Sequence, residues 1–89
     1  MDRLSILIVD DNASDRYLLK RHLEGLGFPV KFFETEDGVE ALEFFKNYEK
    51  NRELYPKDYP PMIVFLDINM PRMNGFAFLE EFSKLRNRD

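Results

Sequence analysis

No cysteine occurs among the 89 residues. That excludes a disulfide framework and thiolate chemistry, and it suits a reducing cytoplasm. The single histidine, His22, falls in a helical segment with no second histidine near it. It reads as a partly exposed residue, neither a metal ligand nor a phosphotransfer group. No apolar stretch approaches membrane-spanning length, and the start Met1-Asp2-Arg3, followed by a short apolar run ending in Asp-Asp, does not resemble a signal peptide. The formal net charge of -4 leaves no strong basic field for nucleic acid, and there is no basic amphipathic helix for a membrane surface. Internal repeats and low-complexity segments are also missing. What remains is a globular composition, with nine Phe and 44% hydrophobic residues. The length suits one domain, residues 1–89. Area scaling lets a chain of this size bury roughly 64% of its unfolded surface, which permits a core with a small margin of stability.

Three acidic residues carry the chemistry. Asp10 and Asp11 close the apolar run Leu4-Ser5-Ile6-Leu7-Ile8-Val9, and Asp67 closes a second run, Met62-Ile63-Val64-Phe65-Leu66. Such runs read as buried parallel strands. Placed side by side, they bring the three carboxylates to the carboxyl edge of a sheet, where open α/β sheets hold their ligands. Clustered carboxylates repel and require a cation, and hard oxygen ligands suit Mg2+ or Mn2+ rather than zinc. The plainer reading is helix capping, since Asp11, Asn12 or Ser14 would serve a helix starting near Ala13. Asp-Asp by itself favours capping. Asp-Asp together with a distant strand-ending Asp, then Ile68-Asn69-Met70-Pro71 and Gly75, favours a site.

The remaining pattern alternates strand and helix. A strand over residues 4–9 precedes a helix from about Ala13 to Leu26, with Leu19, Leu23 and Leu26 in one stripe. Gly25 and Gly27 end it, one of them in the left-handed conformation, and Pro29 blocks continuation. Val30 to Glu34 reads as a second strand, less buried or at an edge because Lys31 interrupts it. Glu36-Asp37-Gly38 turns into a second helix through Val39, Leu42 and Phe45 or Lys46, expected to run on to about Leu54. Residues 47–61 are a polar connection carrying Tyr48, Tyr55 and Tyr59, which cover the sheet edge or the connection itself. The third strand takes residues 62–67, and a third helix takes Phe76 to Arg86, with Phe78 or Leu79, Phe82 and Leu85 inward. This β-α-β-α-β-α order predicts a parallel sheet with helices on its faces.

At three segments the chain resembles the receiver domain of bacterial two-component response regulators. They are Ile6-Leu7-Ile8-Val9-Asp10-Asp11-Asn12, Glu36-Asp37-Gly38-Val39-Glu40-Ala41-Leu42, and Phe65-Leu66-Asp67-Ile68-Asn69-Met70-Pro71-Arg72-Met73-Asn74-Gly75. The resemblance runs through nearly the whole chain and implies a three-layer flavodoxin-like α/β fold with strand order 2-1-3. It implies that Asp67 accepts a phosphoryl group from a histidine kinase or a histidine phosphotransfer protein. It also implies that Asp11 and Asp67 bind Mg2+ through carboxylates, Asp10 mainly through water, and Asn69 through its backbone carbonyl. Phosphoryl transfer needs positioning and charge neutralisation more than covalent help from the protein, which suits this division of roles.

The family fold continues through two more strands, with a Ser or Thr after the fourth and a Lys after the fifth. No residue here matches either position; Lys84 and Ser83 lie on the last helix and do not take those roles. The chain is therefore expected to act as a truncated (βα)3 receiver, a phosphoacceptor and not an enzyme. The alternative is a receiver-derived module that pairs through its sheet and transfers no phosphate. An Asp-nucleophile phosphohydrolase is weaker, since Ile68-Asn69 follows Asp67 where such enzymes resemble Asp-x-Asp. The apolar, Pro-free third strand would be an open edge, so a homodimer through that edge, or by exchange of a strand or helix, is expected.

Overall fold

The computed structural model describes residues 3–68 and 73–86. Strand β1 (Leu4–Val9) is followed by α1 (Ala13–Glu24), β2 (Val30–Thr35), α2 (Gly38–Lys46), α3 (Tyr48–Leu54), β3 (Ile63–Leu66) and α4 (Gly75–Arg86). The three strands form one parallel sheet in the order β2-β1-β3. β1 is central, paired with a strand on each side, and its residues Ser5 to Val9 are accordingly all buried. Its register sets Val9 opposite Thr35 on β2 and opposite Leu66 on β3.

Alternation along the strands assigns the layers. Leu7, Val9 and Phe33 point to one face and join Ala41 and Leu42 of α2 and Phe78 of α4 in the core. Ile6 and Ile8 point to the other, where Leu19 of α1 lies beside Ile8 and Phe65. On that face Glu34 of β2 receives Lys20 at 2.9 Å and Arg16 at 3.1 Å, both from α1.

Several local features differ from the sequence reading. α1 stops at Glu24, and Leu26 is 65% exposed instead of completing the stripe. The left-handed residue is Gly27, with φ 88°, whereas Gly25 stays helical. β2 runs one residue further, to Thr35, because Asp10 N–H donates to its carbonyl at 3.1 Å. β3 is shorter at both ends than residues 62–67.

The expected long second helix is two helices, broken at Asn47 (φ -84°, ψ 44°). The break is stabilised by side chains distant in sequence. α2 leaves its last carbonyls without helical donors. Phe44 O accepts Asn51 Nδ2 at 2.8 Å and the Tyr59 hydroxyl at 2.9 Å. Tyr59 is buried there, and burial pushes its phenol above the ordinary value. Phe33 packs edge-on to Tyr55, and Phe44 edge-on to Tyr59. Arg3 closes the same end of the sheet with a two-pronged contact to the buried Asp58, at 3.0 and 2.6 Å.

Candidate functional site

The sheet's carboxyl edge is built by main-chain bonds that continue past the ends of the strands. Asp10 N–H donates to Thr35 O, and Asp67 N–H donates to Val9 O at 2.9 Å. Asp10 and Asp67 therefore follow Val9 and Leu66, which face each other in the register. Side-chain oxygens of Asp10, Asp11 and Asp67 all lie within 4.8 Å of one another, with Asp10 and Asp67 half-buried and Asp11 exposed.

Capping does not consume these acids. The cap of α1 is Asn12, whose Oδ1 accepts the Asp15 N–H at 3.0 Å. Asp10 Oδ1 accepts the Asn12 N–H at 2.9 Å, which orients its carboxylate. Arg16 donates to the Asp10 carbonyl at 2.6 Å and to Glu34, so this guanidinium braces the backbone behind Asp10. Asp15, Leu19 and Phe65 line the recess in front of Asp10 and Asp67.

The donor set is all oxygen. One ligand is open to solvent, which suits a hard cation that retains several waters, as Mg2+ does. The structure thus brings together three of the four residues expected at the site. The fourth, Asn69, lies outside the described residues.

Three participants were not visible in the sequence. The Thr35 carbonyl holds the Asp10 amide, and no side-chain pattern marks a backbone acceptor. Gly38 and Met73 meet behind the site, Gly38 N–H donating to Met73 O at 3.1 Å. Met73 reads from sequence as packing, and its side chain does pack against the core. Gly38 and Met73 stand in the second and third of the matching sequence segments, but neither segment announces that the two residues meet.

A three-stranded parallel sheet between helical layers, with carboxylates from two adjacent strand ends converging, defines the class: an α/β domain of flavodoxin-like topology with an acidic strand-end site. The profile of the response regulator receiver domain matches residues 6–88. Sensor protein EvgS of Escherichia coli K12 is 39% identical over 88 residues, covering 99% of this chain and 6% of EvgS. Sensor histidine kinase CheAY of Helicobacter pylori is 33% identical over 79 residues, covering 89% of this chain and 8% of CheAY. The crystal structure of the receiver domain of histidine kinase CKI1 from Arabidopsis thaliana, complexed with Mg2+ and BeF3-, superposes with a TM-score of 0.76 at 27% identity, covering 93% of this chain and 56% of that one. The chain belongs to the response regulator receiver domain family. It spans under a tenth of the two sensor proteins and just over half of the CKI1 receiver.

Proposed function

We propose that the chain is a phosphoacceptor in a two-component system, taking a phosphoryl group on Asp67 from a phosphohistidine of a histidine kinase or histidine phosphotransfer protein. The observation that carries this reading is the convergence of Asp10, Asp11 and Asp67 within 4.8 Å at adjacent strand ends. Asp10, Asp11 and Asp67 would hold Mg2+, with the Asn69 carbonyl as a fourth ligand. Mg2+ would supply neutralisation of phosphoryl oxygen charge. A carboxylate oxygen of Asp67 forms the new bond to phosphorus as the phosphorus–nitrogen bond breaks, and the released imidazole nitrogen takes a proton from solvent. The chain's own work is to align Asp67 and to exclude competing orientations of its carboxylate. This is acceptance of a group, not turnover, so the chain is not an enzyme in this reading, and its place is the cytoplasm. Among the described residues no helix is long and apolar enough to cross a membrane.

The test is acetyl phosphate with Mg2+ followed by mass analysis. A gain of one phosphoryl group on Asp67, lost in Asp67→Asn, is the expected result. An adduct at another residue overturns the assignment. Lys84, the one lysine after Asp67 in the chain, donates to Glu81 on α4 at 2.9 Å and does not reach back to the acids.

A second reading is favoured by one feature, the β3 edge. Ile63, Val64 and Phe65 are 40, 38 and 36% exposed, and no strand pairs with their outer side among the described residues. In this reading a second copy pairs there, its β3 antiparallel, giving a continuous sheet 2-1-3-3-1-2. Exchange of a strand or helix between copies is the alternative geometry. Sedimentation equilibrium of the 89-residue chain decides: a well-folded monomer at high concentration rules out the pairing.

A further inference from the structure

Two close backbone approaches brace the segment that leads from Asp67 to α4. Gly75, the first residue of α4, donates its N–H to Ile68 O at 3.1 Å, which ties the start of that helix to the residue after Asp67. A Cβ on Gly75 would stand 2.9 Å from the Asp67 carbonyl oxygen. The second approach comes from another element. Gly38, the first residue of α2, donates to Met73 O at 3.1 Å, and a Cβ there would stand 2.5 Å from that oxygen and 2.8 Å from Met73 Cγ. Contacts under 3.0 Å force something to shift. Gly38 has an ordinary negative φ, so space and not backbone conformation demands glycine there.

The donor is one that the helix cannot use itself. The first N–H groups of a helix have no internal acceptor, and Gly38 spends its own on Met73. This end of α2 is well anchored. Asp37 accepts the Glu40 N–H at 2.9 Å, and Glu40 Oε1 accepts the Glu36 N–H at 2.9 Å. A capped helix end thus grips Met73 at the approach to α4.

We propose that Gly38 is a positioning residue for the acidic site: its bare Cα and its N–H, seated against Met73, fix Met73 and the start of α4 at Gly75, and through the Gly75–Ile68 bond the setting of Asp67. The proposal rests on the receiver reading only for what the site binds. Gly38 touches none of the three carboxylates and acts through Met73, Gly75 and Ile68.

The experiment compares the wild-type chain with Gly38→Ala, with a semisynthetic chain whose Gly38 amide N–H is replaced by an ester oxygen, and with Phe44→Leu. The last removes a ring that packs on Phe33 and Tyr59 near the other end of α2. Two readouts are taken: amide exchange at Gly75 and Asp67, and Mn2+ affinity. The first two variants should exchange faster at those amides and bind Mn2+ more weakly, each by about five- to tenfold, the loss expected for one such hydrogen bond. Phe44→Leu should lower the melting temperature and leave both local readouts unchanged. If Gly38→Ala does not fold, the ester chain, which adds no atoms, decides. Unchanged Gly75 and Asp67 protection in the ester chain overturns the proposal, as does an equal effect in Phe44→Leu. If the wild-type chain binds no Mn2+, the receiver reading of the metal site fails, and amide exchange still decides the role of Gly38.

Discussion

At the scale of single residues, the acids and their supports carry separable expectations. Asp67→Asn and Asp11→Ala should each weaken Mg2+ or Mn2+ binding, the double variant most, by calorimetric titration; equal affinity in all forms would refute the metal site. Thr35 is 7% exposed, and its hydroxyl has no hydrogen-bond partner among the described residues. Burying an unpaired hydroxyl costs about 1–3 kcal/mol. Thr35→Val keeps the shape and removes that cost, so urea unfolding should show a gain of about 1 kcal/mol. The Asp10 amide bond survives, because it uses the Thr35 carbonyl.

Two carboxylates bear on acid stability. Hydrogen bonding from Arg3 holds Asp58 below the ordinary aspartate value, and Lys20, then Arg16, hold Glu34 below the ordinary glutamate value. A depressed carboxylate contributes fully above its unfolded value, about 4, and loses that contribution as pH falls through the folded one. Thermal melts should therefore fall below pH ~4, and Asp58→Asn should flatten that fall. At neutral pH the same change should cost about 1 kcal/mol, less than the roughly 1.5–3 kcal/mol of a charged hydrogen bond, because the Arg3 side chain is 45% exposed.

At the scale of elements, legibility tracks the range of the forces involved. β1 and the location of α1 and α4 follow from local runs and periodicity, and the structure reproduces them within one or two residues. The meeting of Asp10, Asp11 and Asp67 was legible because strand ends mark both segments. The split of α2 from α3 was not. It depends on Asn51 and Tyr59 reaching the Phe44 carbonyl from seven and fifteen residues away, and nothing in the segment 47–61 announces that destination. The grip of Gly38 on Met73 was hidden for the same reason. Asn51→Ala together with Tyr59→Phe should cost about 1–2 kcal/mol, leaving a carbonyl without its acceptor role fulfilled. The loss should appear as faster exchange in α3 and at Tyr55, whose amide bonds to Asn51 O.

At the scale of the whole molecule, large apolar side chains stand open to solvent: Leu18 and Phe28 are 55 and 61% exposed, and Ile63 to Phe65 add the β3 edge. Methylation of an outward β3 backbone N–H in a semisynthetic chain should shift sedimentation towards monomer while leaving the circular dichroism of the folded chain intact.

The register of the sheet carries a kinetic consequence. β1 meets β2 across a short helical crossover, whereas it meets β3 only after some sixty residues have been laid down (Ile6 opposite Ile63). Closure of the longer loop carries the greater entropy penalty and is the slower event. A chain with β1, α1 and β2 in place already carries Asp10 and Asp11, yet Asp67 arrives only with the last strand. Divalent cation would then favour the completed sheet alone, slowing unfolding and leaving early refolding untouched. Stopped-flow refolding with and without Mn2+ should show the ion acting on the unfolding limb, so that the metal reports the final assembly step and no earlier one.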